Sequence, residues 1–134
     1  MSTRRFAMIL GIVFLAIGAA GFVPLLVGPA QGGAMATGSD HGLLFGMFAV
    51  NPAHNVVHLS FGLLGLLAER STRSAILYAR VVALAFSLLT VMGMVPGLDD
   101  LAGTMPLYGN NIWLHLGLAG TAAYVGWAHR SDTR

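Results

Sequence analysis

LFGMFAVNPAHNVVHL (Leu44 to Leu59) and LAGTMPLYGNNIWLHL (Leu101 to Leu116) decide how this chain folds, because the second repeats the first 57 positions later without a gap. Gly46 falls on Gly103, His54 on Asn111, His58 on His115 and Leu59 on Leu116. Each copy places a histidine just inside the start of a long apolar run. The match reads as a duplicated helical hairpin with its polar residues gathered at one end.

Composition says where such hairpins sit. Of 134 residues, 56% are hydrophobic and only 9% charged, with mean hydropathy +0.76. Soluble domains carry about 25% charged residues, so the chain is expected in a membrane. Its length allows one domain, residues 1–134. All seven cations are arginine, in clusters too short to track a phosphate backbone, so no nucleic acid is expected as a partner. The absence of cysteine removes disulfides, thiolate metal sites and thiol nucleophiles together.

Crossing roughly 30 Å of hydrocarbon takes about 20 apolar residues. Four segments qualify, at about 6–27, 52–68, 74–95 and 111–127, joined on one side by loops 28–50 and 96–110. Thr3 is the expected N-cap of the first helix. Asn51-Pro52 opens the second, asparagine as cap and proline in the first turn, and Asn110-Asn111 opens the fourth. The stretch LLFGMF (Leu43 to Phe48) is too short to span, and is expected at the outer interface or in the bundle mouth. The fold class is therefore an all-α, polytopic membrane protein with four transmembrane helices.

Arg4, Arg5, Arg70, Arg73, Arg80, Arg130 and Arg134 all fall on one side of that arrangement, and Asp40, Asp99 and Asp100 are the charges of the opposite links. The positive-inside rule puts both termini in the cytoplasm. Arg4-Arg5, the apolar run and Ala34-Met35-Ala36 imitate a secretory signal, but the run exceeds the usual 7–15 residues of a signal core, so the first helix is expected to be retained.

The repeat extends upstream. Gly21-Phe22-Val23-Pro24 and Gly93-Met94-Val95-Pro96 are both Gly-x-Val-Pro, 72 positions apart, and the extra length of the first outer link is the Gly/Ala-rich stretch Gly28 to Gly38. Helices one-two and three-four thus form a parallel duplication about an axis along the membrane normal. Gly62 and Gly65 lie four and seven residues beyond His58, and Ala119 and Ala122 occupy the same offsets from His115. Small residues let helices approach closely in lipid, so helices two and four are expected to meet near the axis. Gly11 and Gly18, a heptad apart, offer the same to helix one.

Four of the five histidines, His41, His54, His58 and His115, gather at the outer end. His54 and His58 share a helix face, and a third imidazole from a facing helix makes a workable first shell for a transition metal. His58 and His115 across the axis also suit axial ligation of a haem or other metal-bearing pigment. The structural alternative is a polar clasp of Asn51, Asn55, His58, Asn110, Asn111 and His115, in which amide–imidazole bonds satisfy the rings and His54 faces headgroups. No carboxylate stands on these faces to orient the rings. His41 beside Asp40 and His129 beside Arg130 read as surface residues. Trp113, Trp127, Tyr108 and Tyr124 mark an aromatic belt, and the methionines read as gap-fillers.

Ser60 and Thr121 lack a triad, Asp99-Asp100 is a lone acidic pair, and no Gly-rich phosphate loop is present, so no catalytic site is expected. LFGMFAVNPAHNVVHLSFGLLGLL, followed by a second Asn…His element before the last helix, resembles the small bacterial membrane proteins catalogued as domain of unknown function 4383. The resemblance implies a four-helix inner-membrane protein and carries no activity. Its second element departs from the pattern: Ile112 stands three before His115, where Asn55 precedes His58. Two functions remain open, together with a small transporter as a third. One is an accessory or scaffold subunit packing against itself or a larger membrane complex. The other is a protein binding a metal, haem or pigment through the histidine cluster.

Overall fold

The computed structural model describes residues 1–29 and 42–128. Asp40, His41, most of the Gly28 to Gly38 stretch, Ala34 to Ala36, His129, Arg130 and Arg134 lie outside them. The chain is mostly helical: α1 (Thr3–Ala20), α2 (Pro52–Ala68), α3 (Thr72–Met94) and α4 (Asn110–Ala123), the last running on into a π-helical turn, Tyr124–Ala128. Among the described residues two helices, α1 and α3, are long and apolar enough to cross a membrane.

The helix ends follow local chemistry. Asn51 caps α2 as expected, its side chain accepting from the His54 N–H at 2.8 Å. Ser2, not Thr3, caps α1 by accepting from the Arg5 N–H. That helix stops at Ala20 rather than near Val27, and turns occupy the next residues. The reason is Pro24, which lacks an N–H and biases Val23 away from helical geometry. Gly109, without a side-chain cap, precedes α4.

The link between α1 and α2 is not wholly irregular. Three short strands, β1 (Val27–Pro29), β2 (Gly42–Leu44) and β3 (Phe48–Val50), form an antiparallel sheet in that order. Leu44 pairs with Val27 on one side and Phe48 on the other. Met47 N–H closes on the Leu44 carbonyl (3.1 Å) across Phe45 and Gly46, both at positive φ. That is the primed turn whose twist suits a hairpin. The all-α expectation is corrected to this extent, and LLFGMF is the tip of the sheet. The second link repeats the same turn 57 residues on. Thr104 N–H closes on the Leu101 carbonyl (3.2 Å) across Ala102 and Gly103, again both at positive φ.

Packing runs within hairpins, α1 on α2 and α3 on α4. A Cβ on Gly62 would sit 2.8 Å from Leu15 N and 2.9 Å from Gly11 O; one on Gly65 would sit 2.8 Å from Ala7 O. One on Gly18 would meet Asn55 O and Leu59 N, each at 2.9 Å. The glycines of α2 therefore dock α1, while Ala119 and Ala122 are buried in the core beside α3 residues. The expected close approach of helices two and four is not found. Imidazole rings stand between them, and the His58 and His115 centroids are 6.5 Å apart.

Further contacts fall at positions 72 or 57 residues apart. Phe14 and Phe86, 72 apart like the Gly-x-Val-Pro pairs, are wholly buried and stack at 5.2 Å. Gly21 leaves room for the Asn55 side chain, and Gly93 for Ile112 and the Leu107 carbonyl. At the far end Arg4 Nε donates to the Glu69 carbonyl (2.6 Å) and Arg80 Nε to the Gly126 carbonyl (2.9 Å). Those two carbonyls are 57 residues apart. Arg80 lies within α3, with its guanidinium 5.5 Å from the Trp127 ring centre.

Candidate metal centre

The sheet end of the bundle holds the polar residues. His54 and His58, one turn apart on α2, and His115 on α4 bring their rings into one cluster. The centroids lie 4.3 Å apart for His54–His58, 6.1 Å for His54–His115 and 6.5 Å for His58–His115. One nitrogen from each ring lies within 4.8 Å of the other two. All three are essentially inaccessible, with exposures of 2%, 1% and 0%. His54 is thus inside the cluster and not at the headgroups.

Below the rings lies hydrocarbon. Phe14 meets His58 edge-on at 5.4 Å, and Phe86 meets His115 edge-on at 5.2 Å, one pair from each hairpin. The 72-residue offset of the Gly-x-Val-Pro pairs carries Phe14 onto Phe86, so the sequence holds a signal for this floor.

Above the rings, asparagines lace the α1–α2 and α3–α4 links together. Asn51 Nδ2 donates to the Thr104 carbonyl (2.8 Å), and Asn110 Nδ2 to the Met47 carbonyl (3.3 Å). Met47 and Thr104 are the equivalent turn residues, so each hairpin holds the turn of the other. Asn111 Nδ2 bridges the Ala49 and Pro106 carbonyls, at 2.7 and 3.1 Å, which are again 57 residues apart. Asn55 is buried against Gly21. Beside this lacing, burial and then the Asp99 and Asp100 carboxylates raise the pKa of the Tyr108 hydroxyl above its usual value.

The amides of Asn51, Asn110 and Asn111 therefore donate to backbone carbonyls rather than to imidazoles. His58 Nδ1 donates to the His54 carbonyl at 3.0 Å, which leaves Nε2 as the bare lone pair. A ring held this way has the backbone-carbonyl partner that metal-bound histidines use, an orienting contact that carboxylate counting misses. Five buried imidazole nitrogens have no partner among the described residues: both of His54, Nε2 of His58 and both of His115. Leaving such a group unpaired costs about 1–3 kcal/mol, and native structures rarely cluster them.

The set suits an ion better than a macrocycle. Three imidazoles bound at about 2.0 Å place their nitrogens about 3.3–3.5 Å apart, so small ring rotations close the remaining gap. A porphyrin between His58 and His115 would need a slot its own width, and Phe14, Phe86 and His54 fill the surroundings of the pair. Ser60 and Thr121 return their hydroxyls to Val56 and Gly117 of their own helices, both at 2.8 Å, so neither is a nucleophile awaiting a base.

The family model described as Domain of unknown function (DUF4383) matches residues 4–128. The chain belongs to that family. The match takes in nearly all of the four helices and the α1–α2 and α3–α4 links, so the histidine cluster of this DUF4383 protein lies within the shared region. No curated protein matches the chain. No solved structure matches it either.

Proposed function

We propose that this DUF4383 protein is a four-span integral membrane protein that holds a transition-metal ion between His54, His58 and His115. The observation that carries the reading is the group of five unpaired, buried imidazole nitrogens, drawn from three rings that converge within 4.8 Å. Among the described residues nothing else satisfies them. A structural clasp would bond these nitrogens to the neighbouring amides, which instead serve the loops.

The membrane part rests on surface and length. Only 39% of the apolar window of α1 or α3 is buried, unlike the core helices of soluble proteins, and Ile12, Leu63, Leu84, Leu88 and Trp113 point outward. Soluble monomers rarely expose contiguous apolar patches of more than a few hundred Å². The 17 residues of α2 rise about 26 Å. With the π-helical turn, α4 reaches a similar length, so all four helices match the hydrocarbon. Arg4, Arg5, Arg70, Arg73 and Arg80 mark the cytoplasmic end, and the sheet and histidines the outer end of a bacterial inner membrane. The repeated turns, Phe14–Phe86 stack and arginine latches support a parallel duplication of one hairpin.

Because the chain has no cysteine, single cysteines report this topology cleanly. In intact cells an impermeant maleimide is expected to label Gly97→Cys and to spare Arg73→Cys; the reverse pattern would refute the orientation. For the site, elemental analysis of protein purified gently from its membrane is expected to find one metal ion per chain. A double His58→Leu, His115→Leu variant that is folded but metal-free supports the centre. Equal metal in parent and variant would assign the ion elsewhere. Metal-free parent protein would return the cluster to the role of a scaffold that packs against itself or a larger complex.

A further inference from the structure

Resting on the reading of His54, His58 and His115 as a metal centre, we propose that the ion is monovalent copper rather than zinc or another divalent metal. The first argument is charge. Every donor is neutral, and among the described residues the cluster contains no carboxylate or thiolate. Asp99 is engaged in its own loop, accepting from the Gly97 N–H, and Glu69 lies at the other end of α2. The amide oxygens left unpaired, Asn55 Oδ1 and Asn111 Oδ1, are neutral too. An ion here keeps its full charge in a medium of aromatic rings. The cost of burying charge grows with its square, and among the described residues no anionic donor joins the cluster to offset the second charge of a divalent ion.

The second argument is coordination number. Zinc takes four ligands, either four from protein or three plus a water. A water in the fourth position needs polar neighbours of its own. Here Phe14 and Phe86 back the rings of His58 and His115. Copper(II) asks for a tetragonal set of nitrogen and oxygen donors that three converging rings do not supply. Copper(I), with a filled d shell and no geometric demand from it, accepts three imidazoles alone. The same closure holds the ion reduced and colourless.

The test uses the full-length protein in mild detergent without oxygen. Copper(I) is offered against a chromophoric copper(I) chelator, and zinc(II) and cobalt(II) against chromophoric chelators of their own. The expected result is one copper(I) per chain, held at least about 100-fold more tightly than zinc(II), since the buried charge sets the gap. Binding is expected to be lost in His58→Leu and His115→Leu chains whose helical circular dichroism is unchanged. Zinc(II) or cobalt(II) binding as tightly as copper(I), at the same histidines, overturns the copper proposal and leaves the metal centre standing. A copper(II) absorption band that forms in air and stays bound also overturns it. Failure of all three ions to bind removes the metal centre itself.

Discussion

Metal-free His58→Leu protein is expected to be no less stable than the parent, and up to about 2 kcal/mol more stable, while its metal affinity falls by more than 100-fold. Both halves follow from the same atoms. The His58 ring is 1% exposed, its Nε2 is unpaired, and its neighbours include Phe14 at 5.4 Å. An unpaired buried polar atom costs about 1–3 kcal/mol, and an apolar side chain of similar size removes that cost. The Nδ1–H bond lost with the ring ends on the His54 carbonyl, an acceptor that α2 uses for its own backbone. Metal affinity moves the other way. An outer contact alone is worth 10–100-fold, and a ligand is worth more. Thermal unfolding of metal-free protein in detergent, with metal titration of the same samples, checks both. A variant that unfolds earlier yet binds metal like the parent would make His58 a structural residue.

Gly62→Leu is expected to cost about 3 kcal/mol or more, and to separate α1 from α2. The new Cβ would sit 2.8 Å from Leu15 N and 2.9 Å from Gly11 O, and it would also press on the Leu15 side chain. Two of those contacts are backbone, so no rotamer relieves them and the helices must part. Overpacking of a close-packed core usually costs about 1–3 kcal/mol, and backbone contacts exceed that range. Gly120→Leu is the matched control, since nothing lies within 4 Å of its Cβ position. It should leave stability unchanged or raise it by up to about 1 kcal/mol, because leucine is the better helix former. Chemical or thermal unfolding of both variants in one detergent reads the difference. Equal stabilities would refute the α1–α2 packing.

Much of this fold was legible in the sequence, for reasons that belong to particular residues. Asn51-Pro52 marks the start of α2 because a cap and a proline at N1 act locally. The 57-residue match points to two turns that share positive φ at equivalent positions. The end of α1 is hidden in hydropathy, because apolar residues continue to Val27 past the point where the chain turns ahead of Pro24. The sheet was missed because Gly42–Leu44 and Phe48–Val50 are three residues each, too short for alternation to register.

The candidate site was legible in composition and not in orientation. Spacing puts His54 and His58 on one face, and the repeat brings His115 to the same depth. Which partner each helix glycine meets depends on tertiary packing, and so the small residues of α2 were assigned to α4 rather than α1. Where the amides of Asn51, Asn110 and Asn111 point depends on tertiary packing in the same way. All three donate to carbonyls of the links, distant in sequence, and the imidazole nitrogens keep no amide partner.

The central claim is that three imidazoles converge on one ion, and X-ray absorption at the edge of the bound metal tests it most directly. The account predicts three nitrogen scatterers at about 2.0 Å, with the outer-shell pattern of imidazole rings, and loss of that pattern in His58→Leu. A shell of oxygen scatterers without imidazole features, unchanged by that substitution, would contradict it.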